Sequence, residues 1–287
     1  MNFLYTIIIP HYNDLKYLKN LVSTIPVRDD IEIIIIDDNS EVFPNINEFI
    51  DRNIQVILND SGIQSAGACR NIGLEKAKGK WLLFADADDY FTQEAFNVVD
   101  KYISSYVDII YFKPKSICLQ KRISKRNIPY CDLVDNYINK RDLSIRYRFF
   151  VPWSKLIRKE LIDKYNLRFD EIIASNDINF SLKAGFYAKE IDASIEEVYC
   201  VTQGSNSLTN IINKEHIDSR FYALCRYNDF LIKNNLKQYQ CSMSQHLYNT
   251  FKVDINSFFP RLLFSLRKRY PIHVGKKSIA KYLSKYV

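Results

Sequence analysis

Continuous apolar runs alternate with helical patterns along the first 112 residues of the chain. These runs predict buried strands at residues 5–9, 31–36, 54–58, 81–84 and 107–112. Between them, the spacing of apolar residues and a capping Ser65 predict helices at 15–25, 65–78 and 93–104. Because the strands are apolar throughout and separated by helices, they indicate an α/β fold with a mostly parallel sheet covered on both faces. Pro10 is expected to end the first strand.

The pattern changes after residue 112. Residues 113–150 are basic and show little periodicity, so we interpret them as an insertion or a mobile excursion. From residue 214 onward the pattern is helical. These changes predict three parts, with boundaries at 1–112, 113–210 and 211–287, and the last of them is a basic helical extension.

Bulk composition is that of an ordinary soluble protein, with 47% hydrophobic and 25% charged residues. No apolar run approaches the length that spans a bilayer. The apolar start lacks the basic segment and the small-residue cleavage site of a signal peptide. The six cysteines have no spacing typical of a zinc site or a redox pair, which predicts free thiols in a reducing compartment. We therefore expect a cytoplasmic protein.

The positive charge of the chain is concentrated at its end. Of the net charge of +7, residues 255–287 supply +8, because they contain no Asp or Glu. Apolar residues recur at helical spacing in two stretches of this tail, Phe259, Leu262, Leu263, Leu266 and Tyr270, and then Ile279, Tyr282, Leu283, Tyr286 and Val287. Two such helices suit an anionic membrane surface through residues 258–287, or they pack their apolar faces on the rest of the protein. Nucleic acid is not an expected partner, since no basic–aromatic module accompanies the tail.

The strand at residues 81–84 runs directly into Asp86, Asp88 and Asp89. Three carboxylates at the end of a buried strand repel one another and resist desolvation. A divalent cation would remove that conflict, and Mg²⁺ or Mn²⁺ sites often combine one or two carboxylates with substrate phosphates. The alternative is an acidic turn that caps the next helix.

Polar residues also follow the other predicted strands. They are Pro10-His-Tyr-Asn13, Asp37-Asp-Asn-Ser40, Asn59-Asp60 and, on the following helix, Arg70-Asn71. The carboxyl ends of parallel strands meet at one edge of a sheet, where ligands of such folds bind. Each group alone is compatible with a turn or a cap, whereas their combination at one edge indicates a binding site.

Several stretches together resemble the inverting family-two glycosyltransferases with a GT-A fold. They are Ile7-Ile-Ile-Pro-His-Tyr-Asn13, Glu32-Ile-Ile-Ile-Ile-Asp-Asp-Asn-Ser40, Ala68-Cys-Arg-Asn-Ile-Gly73, Gly79-Lys-Trp-Leu-Leu-Phe-Ala-Asp-Ala-Asp-Asp89, Trp153-Ser-Lys-Leu-Ile-Arg158, and Arg168-Phe-Asp-Glu171 with Asn176-Asp177. They cover roughly residues 5–210 in a specific order and spacing. The resemblance implies a Rossmann-like central sheet. Residues 1–112 would bind the nucleotide sugar, and 113–210 would bind the acceptor and carry the base.

The resemblance also implies roles for individual residues on the donor side. Asp38 would accept a hydrogen bond from uracil, and Pro10, Tyr12 and Asn13 would border the nucleotide. Asp86 would face the ribose or the metal, Asp88 would bind Mn²⁺ or Mg²⁺ directly, and the metal would neutralise the leaving diphosphate. Arg70 would support that diphosphate, or it forms a structural ion pair with Asp37 or Asp86.

Asp177 is the residue that the resemblance assigns as general base, which inversion at the anomeric carbon requires. The chain has Asn176-Asp177 where family members often have Glu-Asp. The alternative is that Asp177 caps the helix at 178–184. In the loop 202–207, Gln203 and Ser205 stand where relatives often carry Arg or His, so a third protein ligand for the metal is left open.

The predicted function is metal-dependent transfer of a hexose or N-acetylhexosamine, with inversion, from UDP to a hydroxyl of a glycan or lipid-linked saccharide. Family habit places this in the assembly of a bacterial surface polysaccharide, such as a lipopolysaccharide or capsule. The protein would then be cytoplasmic or peripheral on the inner face of the membrane, and a homo-oligomer is compatible with the sequence. One alternative is a sugar nucleotidyltransferase, although the chain lacks the Gly-rich loop expected after the first strand. The other is a non-catalytic, membrane-associated protein that binds a glycan or nucleotide.

Overall fold

A computed structural model describes residues 3–49, 52–118, 124–203 and 211–272. The chain divides into two units, Met1–Ser207 and Leu208–Val287. The first unit carries the sheet and the second is helical. The predicted α/β fold with a helical extension is therefore confirmed.

The described strands of the first unit form one mixed sheet in the order β3-β2-β1-β4-β7-β6-β8-β5. They are β1 (Tyr5–His11), β2 (Ile31–Asp37), β3 (Asn53–Leu58), β4 (Trp81–Phe84), β5 (Tyr90–Phe91), β6 (Ile109–Cys118), β7 (Lys155–Arg158) and β8 (Ile191–Gln203). The first four strands in this order are parallel, as predicted. Beyond them, β7 is antiparallel to both β4 and β6, β6 is parallel to β8, and β5 is antiparallel to β8.

The first strand does not end at Pro10, which corrects the sequence-based expectation. β1 continues to His11, and Pro10 lies opposite Ile36 of β2. The carbonyl of Ile8 accepts from Ala85 on the β4 side, so Pro10, two residues on, directs its nitrogen to the same side. There β4 has already ended, because its last pair is Phe84 with Ile8. The missing N–H of proline thus costs the sheet no hydrogen bond.

The helices of the first unit cover both faces of the sheet. They are α1 (Leu15–Ser23), α2 (Ala66–Lys76), α3 (Ala95–Val99), α4 (Ile128–Lys140), α5 (Ser144–Arg148), α6 (Lys159–Lys164) and α7 (Ile178–Tyr187). Ser65 caps α2 as predicted, its hydroxyl accepting from the Ala68 N–H at 3.1 Å. A Cβ at Gly67 would lie 2.1 Å from the Asp170 carbonyl oxygen, so only glycine lets α2 approach the segment that leads to α7.

Residues 113–118 and 124–150 are regular structure, and the interpretation of 113–150 as an insertion or mobile excursion is wrong for these residues. β6 runs on to Cys118 beside β8. α4 packs on it, with Cys131 Sγ donating to the Pro114 carbonyl at 3.4 Å and Val134 buried. The outer half of β6 is half-exposed and pairs its lysines with acids, for example Lys115 with Glu197 at 2.7 Å. Such a strand lacks the continuous apolar run that identified the buried strands.

The second unit consists of helices in its described part, which begins at residue 211. They are α8 (Lys214–Lys233), α9 (Ser244–Val253) and α10 (Ile255–Arg267). Asn213 caps α8 by accepting from the His216 N–H at 2.9 Å. The second amphipathic helix predicted for the tail, at 279–287, lies outside the described residues. Within the described ranges, no helix combines the length and the apolar character needed to cross a membrane.

Candidate active site at the carboxyl edge of the parallel strands

Asp37, at the end of β2, is fully buried and its carboxylate is fully engaged. His11 Nδ1 donates to Oδ1 at 2.8 Å, and the Ser40 hydroxyl donates to the same oxygen at 2.6 Å. The Ser40 backbone N–H donates to Oδ2 at 2.9 Å. These bonds join the ends of β1 and β2, and they make Asp37 a structural residue of this edge.

Asp38, the next residue after Asp37, is also buried and lies in the turn that follows β2. Asn59, after β3, donates from Nδ2 to Asp38 Oδ1 at 2.5 Å, and Gln64 Nε2 donates to the Asp38 carbonyl at 2.9 Å. The carboxylate predicted to contact the nucleotide base is therefore fixed by the segment that follows β3.

The loop after β1 holds the residues predicted to border the nucleotide. Asn13 has a left-handed backbone (φ 56°), and its N–H donates to the Ser40 hydroxyl at 2.8 Å. Its side-chain oxygen accepts from the Glu41 N–H at 2.8 Å. Tyr12 is exposed, with 55% of its surface accessible. Asn13 thus pins the loop to the β2 turn, whereas Tyr12 is the residue free to cover a ligand.

Arg70 connects the β4 end to the segment before α7. The residue is buried, and its guanidinium donates to Asp86 Oδ1 at 2.5 Å and to Asn176 Oδ1 at 2.9 Å. It also lies over the Phe169 ring at 5.3 Å. The structural ion pair with Asp86, one of the two alternatives from the sequence, is present. Asn176 keeps a hydrogen bond to Arg70 but adds no negative charge.

Asp88 and Asp89 share the turn after β4 with Asp86. Asp88 is exposed at the surface, yet partial desolvation by the turn, followed by the charge of Asp86, raises its pKa to about 6. Burial and then the charges of Asp86 and Asp88 raise the pKa of Asp89 well above its usual range. Asp89 Oδ1 accepts from the Thr202 N–H at 2.7 Å, while Oδ2 has no partner within the described chain.

This crowding fits a cation, because each ionised carboxylate in the turn raises the free energy of ionising the next. Asp88 is the member whose carboxylate is open to solvent. Across the described residues, however, no three His, Cys, Asp or Glu side chains converge as a preformed metal site. A metal here would need ligands from elsewhere, such as a diphosphate.

Asp177 occupies the N-cap position of α7 but does not act as a cap. Within the described residues its side chain makes no capping hydrogen bond, so the capping alternative from the sequence is not what the structure shows. Burial raises the pKa of Asp177 above its usual range, and the charge of Asp86 raises it further. Arg70 and Lys155 act in the opposite direction. Two cations therefore lie near the Asp177 carboxyl group and oppose the effect of burial on its pKa.

Lys155, at the start of β7, is a charged residue of this region that sequence reasoning did not single out. It is buried, and Nζ donates to the Phe149 carbonyl at 2.7 Å. Nζ also lies 4.9 Å from the Phe149 ring centre and 5.4 Å from that of Tyr111. Burial lowers the pKa of Lys155 to about 7, against the opposing charge of Asp177. The sequence offered one signal for Lys155, its place in the stretch Trp153-Ser-Lys-Leu-Ile-Arg158 that resembles the family. That stretch does not indicate that the side chain is buried.

Tyr130, on α4, is a further side chain close enough to Asp177 to be affected by its charge. Its ring centre is 5.1 Å from Trp153 and 4.8 Å from Phe149. Burial raises the pKa of the Tyr130 hydroxyl, and the charge of Asp177 raises it further. Tyr130, and through it the ring contacts with Trp153 and Phe149, therefore lies near Asp177.

Cys69 lies near both Asp38 and Arg70 at this edge. It precedes Arg70 on α2, and burial and then the Asp38 carboxylate raise the pKa of its thiol. Asp38 on one side and the group of Arg70, Asp86 and Asp177 on the other thus meet around the start of α2. Gln203, predicted to lie in a loop, is the last residue of β8, and its side chain accepts from the Ser124 hydroxyl at 3.0 Å. Residues 204–210 of that loop lie outside the described residues.

Comparison with protein families identifies the family of this chain. Residues 6–165 match the family described as Glycosyl transferase family 2. The chain belongs to this family. The matched region includes β1 to β7 and the part of the carboxyl edge from His11 to Asp89, whereas Asn176 and Asp177 lie beyond it.

TarS of Staphylococcus aureus, a poly(ribitol-phosphate) beta-N-acetylglucosaminyltransferase, is a relative by sequence and by structure. It is 23% identical over 204 residues, which are 68% of this chain and 35% of TarS. The chain thus spans about a third of that relative's length. A crystal structure of a TarS fragment in complex with UDP-GlcNAc superimposes with a TM-score of 0.65 at 19% identity, covering 92% of this chain and 78% of the fragment. This likeness supports the GT-A fold.

Two further similar proteins, one by sequence and one by structure, cover nearly the whole chain. The GalNAc(5)-diNAcBac-PP-undecaprenol beta-1,3-glucosyltransferase of Campylobacter jejuni is 24% identical over 310 residues, with 95% of each protein covered. The mannosyltransferase PcManGT of Pyrobaculum calidifontis, in complex with GDP-Man and Mn²⁺, has a TM-score of 0.59 at 12% identity. That match covers 99% of this chain and 79% of PcManGT.

Proposed function

We propose that this family-two glycosyltransferase moves a sugar from a nucleotide diphosphate to an acceptor hydroxyl with inversion at the anomeric carbon. The observation that carries the proposal is Asp177, a carboxyl group with a raised pKa that stands at a helix start without capping it. A general base must be within reach of the acceptor and must accept a proton near neutral pH. A raised pKa brings the carboxylate closer to that requirement.

In the proposed step, the Asp177 carboxylate takes the proton of the acceptor hydroxyl. The acceptor oxygen forms a bond to the anomeric carbon from the side opposite the diphosphate. The bond from that carbon to the diphosphate oxygen breaks, and the nucleotide diphosphate leaves with the electron pair. One displacement of this kind inverts the configuration, and it needs one base and no covalent intermediate.

UDP is the proposed nucleotide, with a hexose or N-acetylhexosamine as the sugar. The support is the relationship to TarS, which has been crystallised with UDP-GlcNAc, and the position of Asp38 as an acceptor for a uracil ring N–H. The relative crystallised with GDP-Man makes GDP the competitor to test. Tyr12 and Asn13 would border the base.

Asp88, with Asp86, would hold Mn²⁺ or Mg²⁺, which when bound would stabilise the negative charge of the leaving diphosphate. Arg70 would position this group, because its guanidinium ties Asp86 to the segment that carries Asp177. Since one arm of Arg70 is already paired with Asp86, we assign it to holding the site together rather than to binding phosphate alone.

The proposed acceptor is a hydroxyl of a bacterial surface glycan or of a lipid-linked saccharide. The support is the relatives, one named for poly(ribitol-phosphate) and the other for an undecaprenol-linked glycan. Tyr130, half-buried near Asp177, is the aromatic side chain that would contact a sugar ring of the acceptor, since ligand pockets are commonly lined by aromatic residues.

The test is a screen of UDP- and GDP-sugars for hydrolysis and transfer with Mn²⁺, combined with calorimetry of nucleotide binding. We expect UDP to bind measurably with Mn²⁺ or Mg²⁺, and EDTA or Asp88→Ala to remove most of that binding. Asp163→Ala, a change of an exposed acid on α6, is the matched control and should bind normally. Equal UDP affinity with and without metal would exclude the metal role, and absence of both turnover and nucleotide binding would exclude the function.

A further inference from the structure

α10 presents its apolar side to solvent and its polar side to the protein. Arg261 and Ser265 are 6% and 0% exposed, whereas Phe259, Leu263 and Leu266 are 62%, 54% and 55% exposed. An amphipathic helix of a soluble protein normally has the opposite orientation, with the apolar stripe toward the core. The apolar stripe predicted from the sequence therefore exists, but only Tyr270, beyond the end of the helix, is buried.

Specific contacts within the second unit fix this orientation. The Arg261 guanidinium pairs with Asp218, donates to Thr250 Oγ1 at 2.9 Å and lies over the Phe221 ring at 4.7 Å. The Ser265 hydroxyl donates to the Arg261 carbonyl at 2.8 Å. Rolling the helix to bury its apolar stripe would remove the partners of a buried charge, which costs roughly 3–5 kcal/mol.

The exposed residues form one continuous surface, which we call the outer face of α10. Ile255, Phe259, Leu263 and Leu266 follow one another at intervals of four, four and three residues, so they lie on one side of the helix. Phe251 of α9 extends this face, since its ring packs on Phe258 at 5.4 Å. An exposed apolar stripe of this size marks a binding surface for a protein or a membrane.

Exposed cations flank this face, and Asp254, the acid that precedes α10, is paired with Lys214 at 2.8 Å. Lys252, Arg267 and Arg269 are exposed at its two ends. From Ile255 to the end of the chain there are eight Lys or Arg and no Asp or Glu. This combination of apolar and basic side chains fits a partner with an anionic outer layer and an apolar interior. An anionic phospholipid surface has this composition.

A second copy of the chain fits the face less well. Self-association through it would bring Lys252, Arg267 and Arg269 of one chain toward the same residues of the other, and like charges facing each other weaken an interface. The stripe is also a single row of side chains on one helix, which is small compared with the roughly 800 Å² per partner of a stable interface.

We propose that the outer face of α10 docks the protein on an anionic phospholipid surface. The apolar side chains would enter the boundary between headgroups and acyl chains, and the flanking lysines and arginines would lie over the lipid phosphates. This proposal is independent of the proposed function, because none of its residues belongs to the carboxyl edge of the sheet.

The test is co-sedimentation of the full chain with vesicles of phosphatidylcholine, with and without phosphatidylglycerol. We expect binding to the anionic vesicles at low salt and release at high salt. The double variant Leu263→Gln/Leu266→Gln should lose roughly tenfold or more in vesicle affinity, because it removes two apolar anchors. The matched control is Val42→Gln/Ile195→Gln, which changes two residues of the first unit that are equally exposed, at 67% and 61%. The control should bind as the parent does.

Two outcomes would overturn the proposal. One is a full chain that does not sediment with anionic vesicles at low salt. The other is a dimer, seen by analytical ultracentrifugation, that the Leu263/Leu266 variant loses, since the face would then be a contact between copies. Circular dichroism and metal-dependent UDP binding of each variant report whether the fold and the proposed function persist. If the double variant unfolds, Phe259→Gln alone provides the same comparison.

Discussion

Two carboxyl groups at the carboxyl edge of the sheet differ in how the protein uses them. Asp37 has three hydrogen bonds from two neighbouring residues and is fully buried. Asp177 stands at the start of α7 with no capping bond among the described residues, and burial raises its pKa. The first has its hydrogen bonds satisfied inside the protein, whereas burial of the second stabilises its neutral form against the opposing charges of Arg70 and Lys155.

The difference separates structural from chemical roles. A buried carboxylate whose oxygens all accept hydrogen bonds contributes to stability and has little capacity for another partner. A carboxylate that is partly desolvated and not fully paired is suited to take a proton from a bound hydroxyl. Removing the two groups should therefore change different quantities, stability in one case and turnover in the other.

The largest expected effect is the loss of stability in Asp37→Ala. The change leaves His11 Nδ1 and the Ser40 N–H buried without their acceptor. We expect the free energy of unfolding to fall by roughly 3–5 kcal/mol. Urea denaturation followed by circular dichroism measures this, with the exposed Asp163→Asn as control. A change below about 1 kcal/mol would contradict a structural role for Asp37.

Asp177→Asn should lower kcat by a factor on the order of a hundred or more, about 2.7 kcal/mol in the activation barrier. The amide keeps the size of the carboxyl group but cannot take the proton. UDP affinity and thermal stability should stay close to those of the parent. Steady-state kinetics with calorimetry separates these quantities, and near-normal turnover in the variant would remove Asp177 from the mechanism.

Lys155 tests whether a nearby buried cation sets the pKa of Asp177. Burial lowers the Lys155 pKa to about 7, below the unfolded value of about 10.4, so between these pH values the unfolded chain binds more protons. Stability should thus rise with pH through this window, by up to about 1.4 kcal/mol per pH unit, and Lys155→Met should lose the rise. Urea titrations at several pH values measure it, and an unchanged rise in the variant would assign the effect to another group.

The same variant also affects the rate. Protonated Lys155 lowers the pKa of Asp177, so its removal should move the acid limb of the kcat profile to higher pH. The base is active only when deprotonated, and activity should therefore fall earlier as the pH drops. Asp163→Asn, a change of an exposed acid on α6 that does not affect the pKa of Asp177 or Lys155, should leave the profile unchanged.

The smallest expected effect is that of Ser40→Ala. It removes one donor to Asp37 Oδ1, at 2.6 Å, while the Ser40 N–H and His11 remain. We expect a loss of about 1 kcal/mol in the free energy of unfolding. Combined with Asp37→Ala, the serine change should cost less than it does alone, because only its bond from the exposed Asn13 N–H is then still lost. Full additivity of the two would show that the serine acts elsewhere.

The sequence by itself determined the α/β class, the strand ends that carry the polar residues and the helical character of the C-terminal extension. These follow from local patterns, because the apolar period of a strand or helix is written in adjacent residues. β1 to β4 and the cap at Ser65 were predicted in this way and are confirmed. The assignments of Asp38, Asp88 and Asp177 to chemical roles remain predictions.

Only the tertiary structure decided which polar groups are partners and which faces are covered. Arg70 pairs with Asp86 and Asn176, and the latter is 106 positions away along the chain. Lys155 is buried although its sequence neighbourhood gives no sign of it. The outer face of α10 is exposed because Arg261 finds Asp218 on another helix. The spacing of apolar residues shows that a helix has two faces. Contacts with residues that are distant in the sequence determine which of the two faces is buried.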